Sequence, residues 1–444
     1  MTTERAHWSN RIAFILAAAG SAVGLGNIWK FPYIAGTNGG GAFVLVYLVC
    51  IAAVGIPIFI AELYIGQMGQ KNAVTSFEVV HRKGSPWRSI GWMGVIAAFL
   101  ILSFYSVVGG WVLDFEYRSL IGEFLKESDN QISTVLGNLF SDPMRQLFWH
   151  FVFMTMTIGI VMGGVKDGLE KWNKILMPAL VGLLLLLLFY SFSLSGFGES
   201  ISYLFSFDTS HLTSSGVLIA VGHAFFTLSL GMGAIITYGS YLNKREHLAK
   251  IAITVALMDT GIALLAGIII FAVVFTFHSE PGAGPSLMFK TLPMLFVKLP
   301  GAYIISVLFF MLVTFAALTS AVSLLEVIVA YWDETRKTTR MKTTLVAGLI
   351  VYALGILSAL STNALSDFKI GGLTFFDLFD KITSQYMLPL GGMFISLFFG
   401  WVVGPKAMEH AIGKNAKWAT TGLLWTARII APAAVALVMI NKIM

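Results

Sequence analysis

The sequence is short of almost everything a water-soluble protein needs. Only 12% of its 444 residues are charged, against 57% hydrophobic, and the mean hydropathy is +0.81. So little charge cannot cover a soluble surface without large sticky patches, so lipid must be the solvent. The single cysteine, Cys50, excludes an intramolecular disulfide. No Asn-x-Ser/Thr acceptor occurs, so nothing points to N-glycosylation. Nucleophile elbows, phosphate-binding glycine loops before a lysine and clustered His/Cys metal sites are also missing, which excludes the common enzyme classes. The first apolar run lacks a cleavage-like end and is not read as a removable signal peptide. A net charge of +6 would fit a nucleic-acid partner, but its distribution argues for topology instead.

What is present is a series of apolar runs. A span needs about 20 predominantly apolar residues, and polar breaks divide the chain into eleven candidates. They lie near 11–36, 41–69, 88–120, 147–165, 169–194, 217–242, 248–278, 301–332, 342–362, 373–402 and 416–440. Alternate breaks differ in charge. KNAVTSFEVVHRKGSPWR, KDGLEKWNK, NKREHLAK, DETRKTTRMK and PKAMEHAIGKNAK, taken with the N-terminal segment, hold 19 of the 29 Lys and Arg. The other breaks are acidic to neutral. The positive-inside rule then puts the N-terminus in the cytoplasm and, with eleven spans, the C-terminus outside. Every loop is short, so function must reside among the helices.

Two spans carry glycine interruptions near mid-membrane. One is GSAVGLGN (Gly20–Asn27) in the first span, the other Thr227-Leu228-Ser229-Leu230-Gly231-Met232-Gly233 in the sixth. Unwound backbone in lipid is tolerated only where it lines a cavity or a polar ligand. A broken helix offers free carbonyls to a cation and free N–H groups to a carboxylate at one depth. The interruptions are five spans apart, and five is odd, so a five-span repeat must be inverted relative to its copy. This pattern points to a transporter built from two inverted repeats (about 11–194 and 217–402), with an extra helix at about 416–440 and the site at the midplane. The competing reading, glycines that merely let helices pack closely, does not explain Asn27 or the matching break.

Several longer motifs carry a family resemblance. Trp8, AGSAVGLGNIWKFPY (Ala19–Tyr33), NGGGAF (Asn38–Phe43), GIPIFIAEL (Gly55–Leu63), FFTLSLGMGAIITYGSY (Phe225–Tyr241) and FAALTSAVS (Phe315–Ser323) resemble the neurotransmitter:sodium symporter family. Its leucine-transporter fold is itself the reference case for broken helices at an inverted-repeat interface. The resemblance implies an all-α membrane protein of eleven helices, a 5+5 inverted repeat plus one. It further implies sodium-coupled import of an amino acid across the cell membrane. Short termini and loops resemble the bacterial members.

The resemblance also assigns sites. One sodium ion would take the Ala22 carbonyl, the Asn27 side chain, Thr227 and Asp259, completed by the substrate's carboxylate. The other would take the carbonyls of Gly20, Val23 and Ala316 with the hydroxyls of Thr319 and Ser320. Without the resemblance, these two hydroxyls read rather as bonded to carbonyls of their own helix. Asp259 departs from the asparagine frequent in the family, and Ala263 stands where animal members have a chloride-associated serine. An ionised aspartate at midplane requires a cation, so Asp259 is expected to replace chloride, and no chloride is expected. The substrate carboxylate would meet the Leu25 and Gly26 N–H groups and the Tyr105 hydroxyl. The amino group would meet carbonyls of Ala22 and Phe226 with Thr227. Gly24 matches the position at which biogenic-amine carriers have an aspartate, so the ligand here should bring its own carboxylate. Ile101, Tyr105, Phe226, Ser229, Met232, Ser320 and Leu324 would line an uncharged side-chain pocket, suited to an apolar or aromatic amino acid. Met232, unbranched, leaves room for large side chains.

By the same resemblance Lys30 and Asp380 form an outer gate with Tyr105 and Phe226, Asp377 being the alternative acid. Lysine makes no planar bidentate pair, so a loose contact is expected. Arg5, Trp8 and Tyr241 resemble an inner latch, with Glu334, or else Asp333, as its acid. Gly168 and Pro178 enclose nine residues that the family uses to unwind the fifth span; Glu326 reads as an exit-path or structural group, and Glu62 has no assigned role. A sodium channel, a non-transporting amino-acid sensor of the same fold and a proton-driven or exchange carrier remain as rivals. A channel would have no use for carboxylate-facing N–H groups.

Overall fold

The computed structural model describes residues 6–206, 212–280, 286–336, 338–413 and 417–443. Arg5 lies outside them. The described chain is helical apart from an isolated bridge between Ile370 and Leu373. In chain order the main elements are α1 (Arg11–Ala22), α2 (Gly26–Thr37), α3 (Gly41–Gly69) and α4 (Arg88–Leu120). They continue as α5 (Pro143–Met162), α6 (Gly164–Ser191), α7 (Ser214–Thr227), α8 (Ala234–Gly239) and α9 (Leu248–Thr276). The last are α10 (Ala302–Arg336), α11 (Arg340–Leu360), α12 (Phe375–Val403) and α13 (Thr420–Ile440).

Each expected apolar run falls on a helix or a pair of helices. Among the described residues eight single helices are long and apolar enough to cross a membrane, and the bent pair α1–α2, taken as one span, makes a ninth. The helix α5 carries Arg145, Gln146 and His150 and is not among them. It starts earlier than expected, because Pro143 fits the first turn and Asp142 caps it by accepting from the Arg145 N–H.

The two glycine interruptions are real breaks. The axes of α1 and α2 differ by 52°. At the turn Val23 leaves the helix with extended backbone (φ −72°, ψ 105°). Between α7 and α8, Gly231 and Gly233 have φ of 79° and 75°, in the left-handed region glycine tolerates. Gly231 has a second constraint, since a Cβ there would overlap the backbone carbonyl of Leu388. Ser229 holds φ 54°, costly for a residue with a side chain. Its hydroxyl compensates by donating to the Ser21 carbonyl at 2.7 Å, tying the second break to the first. The half-helix α1 packs against α6, α9 and α10, so its exposed carbonyls end in protein rather than lipid.

Candidate functional site

The site forms where the freed backbone of α1 meets α7, α9 and α10. On one side, the Asp259 carboxylate of α9 is fully buried. The Asn27 amide donates to Asp259 Oδ1 at 2.7 Å and to its carbonyl at 3.0 Å. The Thr227 hydroxyl lies 3.1 and 3.0 Å from the two carboxylate oxygens. Asn27 Oδ1 in turn accepts from the Gly24 N–H at 3.0 Å. Among the described residues no basic side chain forms an ion pair with Asp259. An ionised carboxylate there needs a cation from outside the chain.

On the other side, the Ser320 hydroxyl sits 3.4 Å from the Gly20 carbonyl and 3.2 Å from those of Ser21 and Val23. Thr319 Oγ1 lies 3.1 Å from the Ala316 carbonyl and 3.0 Å from that of Phe315. Thr319 thus bonds back to carbonyls of its own helix, the alternative to a cation site, whereas the neighbouring Ser320 hydroxyl reaches the α1 carbonyls of Gly20 and Val23. These oxygens carry no formal charge. Several neutral oxygens of this kind can replace the water shell of a monovalent ion. Among the described residues no group of three or more His, Cys, Asp or Glu could hold a metal.

Between the two sets lies a cavity of about 30 Å³. All eleven residues expected to line the substrate pocket line it: Ala22, Leu25, Gly26, Ile101, Tyr105, Phe226, Thr227, Ser229, Met232, Ser320 and Leu324. The Leu25 N–H donates to the Tyr105 hydroxyl at 3.3 Å. Two lining residues were missed from the sequence, Ser21 and Ser323. The Ser21 hydroxyl donates to Ser323 Oγ at 2.8 Å, and Ser323 donates to the Ser320 carbonyl at 2.8 Å. Both lie inside motifs that carry the family resemblance, which was the available signal.

Tyr105 and Phe226 also line a second cavity of about 470 Å³, with Lys30, Asp377 and Asp380 around it. Those two aromatics therefore separate the small cavity from the large one. Lys30 and Asp380 form no ion pair within 4.0 Å. Instead Lys30 Nζ stands 4.6 Å above the Phe226 ring, a cation–π contact, and Asp380 accepts from Ser384 at 2.7 Å. Asp377 accepts from the Thr374 hydroxyl at 2.7 Å at the start of α12, which accounts for the alternative acid.

Near the start of the described residues, Trp8 is packed in place. Trp8 Nε1 donates to the Tyr238 carbonyl at 3.1 Å, and its ring packs edge-on against Phe14, Tyr238 and Tyr241. The Tyr241 hydroxyl donates to Glu326 at 2.7 Å, and Glu326 is paired with Arg340 at 2.5 Å. Glu326 is thereby a structural anchor. Glu334 accepts from the backbone and side-chain N–H groups of Asn72 at 3.0 and 2.9 Å. Gly168 closes the wide turn Gly164–Glu170 at the start of α6, and Pro178 interrupts its ladder. Glu62 accepts from the Gly231 N–H at 2.7 Å. It satisfies a donor freed by the second break, a role no local pattern reveals.

Comparison with known proteins places this arrangement. A model of the sodium:neurotransmitter symporter family matches residues 5–135 and 122–444. The chain belongs to the sodium:neurotransmitter symporter family. It is a transporter, not an enzyme. It is 38% identical over 439 residues to an uncharacterized sodium-dependent transporter, YhdH, of Bacillus subtilis, covering 98% of this chain and 97% of that one. It is 26% identical over 459 residues to the human sodium- and chloride-dependent GABA transporter 2, covering 91% of this chain and 74% of the relative. Its fold superposes on the crystal structure of MhsT in complex with L-phenylalanine with a TM-score of 0.91 and 45% identity, covering 99% of this chain and 100% of that one.

Proposed function

We propose that this family member is a sodium-coupled symporter importing hydrophobic or aromatic L-amino acids by alternating access, with two sodium sites and no chloride requirement. One observation carries the reading: the Asp259 carboxylate and the neutral oxygens around Ser320 flank a small cavity lined by both helix breaks. The cavity's lining has no charged side chain, which favours apolar or aromatic side chains on the ligand. Gly24 provides no protein carboxylate at the position where biogenic-amine carriers have one, so the ligand supplies its own. MhsT, whose structure holds L-phenylalanine, supports this substrate class.

In this reading the first sodium is held by Ala22, Asn27, Thr227, Asp259 and the substrate carboxylate. Because ion and substrate are mutual ligands, each raises the other's affinity by the same factor. The second sodium is held by Gly20, Val23, Ala316, Thr319 and Ser320. Each ion entering down the membrane potential contributes about 2.3 kcal/mol per 100 mV. The five-helix halves act as inverted repeats in the cell membrane. The N-terminus is cytoplasmic and the C-terminus extracytoplasmic. Lys30, Asp380, Tyr105 and Phe226 close the outer path, and Trp8, Tyr241, Arg5 and Glu334 the inner one.

The test is binding of the twenty amino acids to purified protein in sodium or in potassium. Apolar and aromatic L-amino acids should bind in sodium only; binding that ignores the cation would overturn the reading. Chloride gives a separate check. Uptake into proteoliposomes should be equal in sodium chloride and sodium gluconate, because Asp259 supplies the negative charge, and a strict chloride requirement would remove that role from it.

A further inference from the structure

Asn173 of α6 is 2% exposed and lies midway between Gly168 and Pro178. Its amide Nδ2 donates to the Leu169 carbonyl at 2.8 Å, one turn back. That bond fixes which end of the amide faces inward: Oδ1 is buried and accepts no hydrogen bond from any of the described residues. It looks onto Gly20 of α1. A Cβ placed on Gly20 would overlap Asn173 Oδ1 and come within 3.3 Å of Thr319 Cβ on α10. An unpartnered carbonyl-type oxygen therefore stands where α1, α6 and α10 meet, beside Gly20 and close to Thr319, two residues assigned to the second sodium site. A buried polar group without a partner is destabilising, a cost that an alanine at this position would avoid.

We propose that Asn173 Oδ1 is a further ligand of the second sodium ion, contributed by α6. The proposal rests on the second sodium site described above. Sodium takes oxygen ligands, and Asn173 presents one whose capacity nothing in the protein uses. Its position gives the ligand a consequence for transport. α6 begins in a wide turn and contains Pro178, and its Glu170 accepts from the Ser9 N–H at 2.9 Å, next to Trp8. A cation held by Gly20, Thr319 and Asn173 together clamps α6 onto α1, and its departure releases the start of α6.

The test is equilibrium binding of ²²Na⁺ to the purified full-length protein without amino acid. All variants are made in an Asp259→Asn background, which removes the charge of the first site, and the substrate carboxylate that completes that site is absent, so this measurement reads the second. Asn173→Asp places a charged oxygen at the same point and should tighten sodium binding by about tenfold or more. Asn173→Ala should weaken it, and Thr319→Ala should abolish it. A gain of affinity in Asn173→Asp cannot arise from misfolding. A purely structural Asn173 would give unchanged or weakened binding in that variant, which overturns the inference while loss in Thr319→Ala leaves the second site standing. Wild-type binding by Thr319→Ala would instead overturn the site itself.

Discussion

Gly24→Asp is expected to reduce sodium-dependent binding and uptake of L-amino acids to background. A Cβ on Gly24 would lie 2.5 Å from Ser320 Oγ and 3.0 Å from Tyr105 Oη, closer than real side-chain contacts permit. The added carboxylate would then stand beside the Leu25 N–H and the Tyr105 hydroxyl, the donors proposed for the substrate's carboxylate. Two like charges cannot share those donors. Hydrogen bonds to a charged group contribute about 1.5–3 kcal/mol each, so losing two of them costs about 3–6 kcal/mol. That corresponds to at least about a hundredfold in affinity. Gly24→Ala separates the two effects. Its methyl group moves Ser320 away from the α1 carbonyls without adding charge, so the sodium dependence should shift first. Radiolabelled L-phenylalanine binding across a sodium titration reads both. Wild-type binding by Gly24→Asp would remove the first helix break from the substrate site.

Asp259→Ala should raise the sodium concentration for half-maximal amino-acid binding by at least about a hundredfold, because removing one partner of a buried charge pair costs about 3–5 kcal/mol. The variant also leaves the Asn27 amide, now 2.7 Å from the carboxylate, and the Thr227 hydroxyl without their shared acceptor. Asp259→Asn keeps the shape and one oxygen but loses the charge, so its effect should be smaller and in the same direction. Thermal unfolding of each variant in detergent without sodium separates a lost ion from a damaged fold. An unchanged sodium midpoint in Asp259→Ala would place the coupling ion elsewhere.

Positions of breaks were legible in the sequence because a break is a local event. Glycines at 20, 24 and 26, and at 231 and 233, lower helix propensity wherever the chain carries them, and the structure interrupts its helices at both places. Apolar runs were legible for the same reason, although polar residues in α5 and the split of the sixth run make a count of spans from hydropathy less direct. Partners of the freed groups were not legible locally. Ser320 reaches the Val23 carbonyl across 297 residues, and Asn27 reaches Asp259 across 232. The family motifs supplied those pairings; periodicity and composition carried none of them.

The tertiary structure decided matters that even the motifs left open. Lys30 stands over the Phe226 ring and forms no ion pair with Asp380, although both charges line the 470 Å³ cavity. Glu326 became an anchor because Arg340, from the next helix, reaches it. Glu62 satisfies Gly231, and Asn173 was left with an oxygen that no neighbour uses. By itself the sequence determined an all-helical membrane protein with two weakened spans and a glycine where a carboxylate would change the ligand. Those features depend on the propensity and polarity of short stretches. Which buried donors, acceptors and charges meet depends on helices packing from distant parts of the chain, and only the folded bundle brings those distances to hydrogen-bond length.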